Sequence, residues 1–220
     1  MAPNLHSRVV LHASTVCAMA YGYNALVGLS ISDSINSQYG GHFQFLTIQG
    51  LAVACLTMLV GLLADFFPAV TVIRTAKRAL FIVAMPTATM VSSIYWTLLL
   101  TSPHLIIHAA PAEALEAVML PMRIDLCLHA VPCLALLTDF MVFERKYGRS
   151  VIVYTAPLLS LLYTVSYAWW VELCATHNGK FPYPFLTFNP FEVRVFIYAG
   201  VGALACVSFY ALNALHPKSH

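Results

Sequence analysis

Six long apolar runs, separated by short polar segments, constrain this chain more than any other feature. They are Val9 to Ile31, Phe43 to Phe67, Ala79 to Leu100, Ile124 to Phe143, Val151 to Cys174 and Val193 to Leu212. A helix crosses the bilayer's hydrocarbon core with roughly 20 apolar residues, and each run is long enough. Together they leave no room for a separate soluble domain, so residues 1–220 are expected to form one all-α integral-membrane domain, a bundle of six transmembrane helices. Only 9% of residues are charged and 60% are hydrophobic, against about 25% charged in a soluble domain. The net charge of +2 includes no basic patch of the kind that binds nucleic acid. Pro86, Pro132 and Pro157 fall inside runs, where neighbouring helices satisfy the carbonyls a proline frees.

Eight of the 11 Lys and Arg residues fall on one side of a six-span arrangement: Arg8, Arg74, Lys77, Arg78, Arg145, Lys146, Arg149 and Lys218. The positive-inside rule then places both termini in the cytoplasm. The first run follows only eight mostly polar residues and reads as a retained signal anchor. All six cysteines lie in apolar runs, which predicts reduced, packed thiols rather than a disulfide framework.

Between the first two runs, Tyr39 to Thr47 reads Tyr-Gly-Gly-His-Phe-Gln-Phe-Leu-Thr. The glycines let backbone approach a ligand, and Thr47 is expected about 6 Å inside the second helix. In the fourth run His129 lies five residues past Ile124, about 7.5 Å deep and near the level of Thr47. Asp125 precedes it by four residues and shares its face. Cys127, His129 and Cys133 make a poor zinc site without a fourth ligand, and His104 and His108 form only a pair. A short interfacial helix is expected over Pro111 to Pro121, bracketed by prolines. Tyr95 and Trp96 read as interface anchors. His12, Tyr21, Tyr23 and Asn24 read as interhelical hydrogen-bonding groups. Asp65, Asp139 and Glu144 are expected to pair at the cytoplasmic interface with Arg74, Lys77, Arg145 and Lys146.

Tyr39-Gly40-Gly41 followed by Phe45-Leu46-Thr47, Pro121 eight residues before His129, and Tyr183-Pro184-Phe185-Leu186 together resemble the androgen-induced and androgen-dependent membrane proteins. The resemblance covers most of the chain. It implies a six-helix threonine hydrolase of fatty acid esters of hydroxy fatty acids, resident in the endoplasmic reticulum or plasma membrane. It makes Thr47 the nucleophile and His129 its partner. Where family members commonly carry Asn-His shortly before that histidine, this chain has Asp125-Leu126, so the polar surroundings of His129 differ.

The residues themselves suit that chemistry. A threonine hydroxyl attacks only when a positioned base takes its proton, and the amino-terminal ends of both helices favour developing negative charge. Amides at Gly40 and Gly41 are candidate oxyanion donors, Asp125 a candidate orienting group, and Tyr39, Phe45, Tyr183 and Phe185 candidate substrate contacts. The expected partner is a lipid ester within the bilayer, with neither metal nor organic cofactor. The alternative is a non-enzymatic lipid-binding or transport protein in which Thr47 back-bonds to its own helix and His129 is structural.

Overall fold

A computed structural model describes residues 5–106 and 119–217. The expected interfacial helix and His108 lie outside the described residues, apart from Met119 to Pro121. The elements are α1 (Leu5–Val27), α2 (Ile31–Asn36), a 3-10 turn (Gly41–Gln44), α3 (Leu46–Phe66), α4 (Thr71–Thr101), α5 (Met122–His129), α6 (Val131–Phe143), a π turn (Val151–Thr155), α7 (Ala156–Asn178), α8 (Pro184–Thr187) and α9 (Phe191–Leu215). A second 3-10 turn spans Pro103–Leu105.

Among the described residues, five helices are long and apolar enough to cross a membrane: Leu46–Phe66, Thr71–Thr101, Met122–Phe143, Val151–Asn178 and Phe191–Leu215. The first of the six expected spans is not in this set. It forms the 23-residue α1, whose His12, Tyr21, Tyr23 and Asn24 dilute its apolar character. α1 nevertheless runs antiparallel to α3 along its length. Arg8 in its first turn pairs with Asp65 at the end of α3, while Leu26 in its last turn borders the same cavity as Thr47 at the start of α3.

Two further boundaries differ from expectation. The third span begins at Thr71 rather than Ala79, so Arg74, Lys77 and Arg78 are helical rather than in a loop. The fourth is broken at Ala130, two residues before Pro132. Pro132 has no amide proton and its ring crowds the carbonyl of Leu128, four residues back. His129 therefore ends one helix at a junction.

The main core lies between α1, α3, α4, α5 and α6, around Met19, Met58, Phe81, Met85, Leu136 and Phe140. Small residues bring the helices close: a Cβ on Gly22 would lie 2.6 Å from Cβ of Cys127, and one on Gly61 2.9 Å from the His12 ring. A second cluster of Tyr167, Val171, Phe181, Leu186 and Tyr198 joins α7 and α9 to the loop between them.

At the end of the bundle away from Thr47, the charges form a buried network rather than interfacial pairs. His12 reaches Asp65 at 2.6 Å and Asp139 at 3.1 Å. Lys77 reaches Asp139 at 2.7 Å and Glu144 at 2.9 Å, and Arg78 reaches Glu144 at 3.1 Å. Lys77 pairs as expected, while Arg8, His12 and Arg78 stand in place of the expected Arg74, Arg145 and Lys146. Lys77 is only 1% exposed, and leaving one member of such a network unpaired costs about 3–5 kcal/mol. The network ties α1 to α3, α4 and α6.

Candidate active site

The Tyr39-Gly40-Gly41 stretch is shaped by its contact with α7. Gly40 has φ +83°, and a Cβ there would meet Sγ of Cys174 at 2.6 Å and the Trp170 ring at 3.2 Å. Gly41 has φ +47°, and its amide donates to the Gln38 carbonyl at 3.0 Å. Tyr39 stacks on His177 with ring centroids 4.1 Å apart and exchanges backbone hydrogen bonds with the Asn178 side chain. Tyr39 and Gly40 fasten the loop to α7, and Tyr39, Gly40 and Gly41 are absent from the walls of both cavities described below.

The 3-10 turn and the extended Phe45 (φ −86°, ψ 129°) delay the start of α3 to Leu46, so Thr47 is the second residue of the helix rather than a turn inside it. The Tyr183 hydroxyl accepts the Leu46 amide at 3.0 Å, satisfying a donor that a helix start leaves free. It also interacts with the Thr47 hydroxyl and amide. Burial holds the Tyr183 phenol above its ordinary range, opposed by those donors. Phe45 meets the Tyr183 ring edge-on and Phe185 stacks against it at 5.3 Å.

Thr15, Thr57, Thr75, Thr89, Thr101 and Thr138 each donate to the carbonyl four residues back. Among the described residues Thr47 has no such bond. The corresponding carbonyl, that of Phe43, accepts instead from Trp170 Nε1 at 3.0 Å and Gln49 Nε2 at 2.8 Å.

On α5, His129 Nδ1 lies 2.7 Å from Asp125 Oδ1 and 3.3 Å from the Asp125 carbonyl. Two acceptors on this side assign a proton to Nδ1, so in the neutral ring the lone pair lies on Nε2, which makes no hydrogen bond among the described residues. Tyr95 of α4 lies flat against the imidazole, centroids 3.4 Å apart and planes 1° from parallel, and its hydroxyl bonds Asp125. Asp125 and His129 are 4% and 6% exposed. This pair is rigidly held.

Two cavities meet at Thr47, Tyr95 and Tyr183. One has a cavity volume of about 370 Å³ and is bordered by Thr47, Asp125, His129, His42, Gln38 and Lys180. The other, about 110 Å³, is apolar and runs between α4, α7 and α9 past Val83, Pro86, Phe185, Val201 and Ala205. From Tyr95 to Ile82 on its α4 wall is roughly 20 Å of helix rise. Thr47 and His129 thus share one cavity, but among the described residues no hydrogen bond joins them directly. Burial pushes the His42 imidazole down, and its Nε2 is buried without a partner.

Sequence reasoning did not find Tyr95, read as an interface anchor, nor Lys180, and it read Tyr183 as a substrate contact but not as the partner of Leu46 and Thr47. Their roles depend on contacts between distant helices and leave no local pattern. Among the described residues no group of three or more His, Cys, Asp or Glu side chains is arranged to hold a metal.

The fold defines a helical membrane protein with a polar pocket at one end of its bundle. The sequence model of the FAR-17a/AIG1-like proteins matches residues 7–217, and the chain belongs to that family. It is 30% identical over 209 residues to a UPF0641 membrane protein of Schizosaccharomyces pombe, covering 94% of this chain and 89% of the relative. It is 24% identical over 220 residues to a UPF0641 membrane protein of Saccharomyces cerevisiae, covering 93% and 90%. No solved structure matches.

Proposed function

We propose that this protein is a membrane-embedded hydrolase of lipid esters, with Thr47 as nucleophile and His129 as general base. Its substrates are fatty acid esters of hydroxy fatty acids, the class implied by the resemblance. The observation that carries this reading is the Asp125–His129 pair with its unengaged Nε2, facing the same cavity as a threonine hydroxyl that is not bonded back to its helix. The binding-protein alternative rests on Thr47 being back-bonded, and it loses that support.

In the mechanism, His129 Nε2 takes the Thr47 proton, directly once substrate closes the gap or through one water, as Oγ attacks the ester carbonyl. The oxyanion is stabilised by the start of α3 and by the Tyr183 hydroxyl, which burial keeps protonated as a donor. Gly40 and Gly41 are left out of this role, because the Gly41 amide is engaged in a turn and neither glycine borders the cavity. The imidazolium then protonates the departing alkoxide of the hydroxy acid, leaving an acyl-threonine. A water activated by His129 hydrolyses that ester and releases the fatty acid. The apolar cavity holds the acyl chain. α1 completes six spans, both termini are cytoplasmic, and the site opens on the opposite face.

Thr47→Ala is expected to abolish ester turnover in the purified protein. His129→Ala should cost about as much, and the double variant little more than either, because each group is useless alone; such losses reach about six orders of magnitude in a soluble hydrolase. Wild-type turnover in Thr47→Ala would remove the nucleophile assignment.

A further inference from the structure

We propose that Lys180 binds the free carboxylate of the substrate, so that the site selects esters whose alcohol half ends in an acid. This rests on the hydrolase reading of the same cavity. Among the described residues, Lys180 is the lysine or arginine on the wall shared by Thr47 and His129, and the other ionisable groups there are Asp125, His129, His42 and the phenols of Tyr95 and Tyr183. Asp125 is held by His129 and Tyr95, and burial disfavours charge on His42. Glu172, the acid nearest in sequence, is engaged by Arg194 and Tyr198. Among the described residues Lys180 makes no ion pair, and its side chain is exposed where an incoming anion can reach it.

Its position suits an anion near the ester rather than at it. Lys180 lies three residues before Tyr183 on one loop, a backbone reach of at most about 11 Å, and Tyr183 touches Thr47. A substrate with its carbonyl at Thr47 and its acyl chain in the apolar cavity therefore directs its alcohol half along the polar cavity toward Lys180. Among the described residues the apolar cavity has no Lys, Arg, Asp or Glu in its wall, so among them only one orientation places the carboxylate beside a counter-charge.

The test compares a palmitoyl ester of hydroxystearic acid with the methyl ester of the same lipid, using full-length wild type, Lys180→Met and Lys180→Arg in detergent micelles. Lys180→Met should raise KM for the free acid roughly tenfold, about the value of one charge-assisted hydrogen bond. It should leave KM for the methyl ester and kcat for both nearly unchanged, and Lys180→Arg should restore the preference. Thermal stabilisation by ether-linked, non-cleavable versions of both lipids reads the same preference without catalysis. An unaltered preference in Lys180→Met, by KM and by thermal stabilisation, overturns the proposal. If wild type cleaves neither ester, the hydrolase reading fails, and the stabilisation experiment alone decides for or against Lys180.

Discussion

His129 shows how neighbours set the chemistry of a single residue. A histidine on a membrane helix can be a structural group, but here Asp125 occupies Nδ1 at 2.7 Å, and Tyr95 covers the ring face and bonds Asp125 in turn. Such a partner fixes the tautomer and stabilises the imidazolium formed during attack. Asp125→Asn should therefore lower kcat by roughly 10²–10⁴-fold with little change in KM, the range by which positioned acid–base groups contribute. Wild-type kcat in the Asp125→Asn variant would reduce Asp125 to a packing partner. The i, i+4 spacing made the Asp125–His129 contact legible in the sequence, because one helix turn alone brings the two together. Tyr95 was not legible, since its contact depends on how α4 packs against α5. The glycines were legible as special positions but not in their use, because only the approach of α7 shows what Gly40 avoids.

At the scale of elements, the positions of helices followed from hydropathy and their ends did not. α3 starts later than its apolar run because Gly40 and Gly41 impose a turn before it. α4 starts earlier because Lys77 finds Asp139 and Glu144 in the bundle, burial that no window average can anticipate. α1 is the instructive case, since polar residues that weaken its apolar character are those that join it to the bundle. The Arg8 and His12 contacts to Asp65 and Asp139 hold one end, and close packing of Gly22 on Cys127 holds the last two turns. In the proposed reading, a helix so matched to α3 crosses the membrane with it. Tags at the two termini should then be accessible from the cytoplasmic side, and a glycosylation acceptor placed near Asn178 should be modified. Termini found on opposite faces would leave five spans and a peripheral α1.

The whole molecule divides its labour between a close-packed half and a looser half. α1, α3, α4, α5 and α6, with Ala156 of α7 and Phe209 of α9, enclose the main core, while other parts of α7 and α9 stand against α4 with an apolar cavity between them. In the proposed mechanism the rigid half carries Thr47 and His129, the looser half receives the acyl chain, and the loop bearing Lys180 and Tyr183 closes the polar side. Membrane class and family-bearing motifs could be read directly from the sequence; the meeting of two cavities at Thr47 could not, because it arises from the spacing of helices far apart in the chain. The central claim, that this bundle is a threonine hydrolase, is tested most directly by treating the purified protein with a fluorophosphonate and locating the adduct by peptide mass mapping. The account predicts one phosphonyl group on Thr47, absent from Thr47→Ala and strongly reduced in His129→Ala. An adduct on another residue, or no adduct while the protein still cleaves its ester, would contradict it.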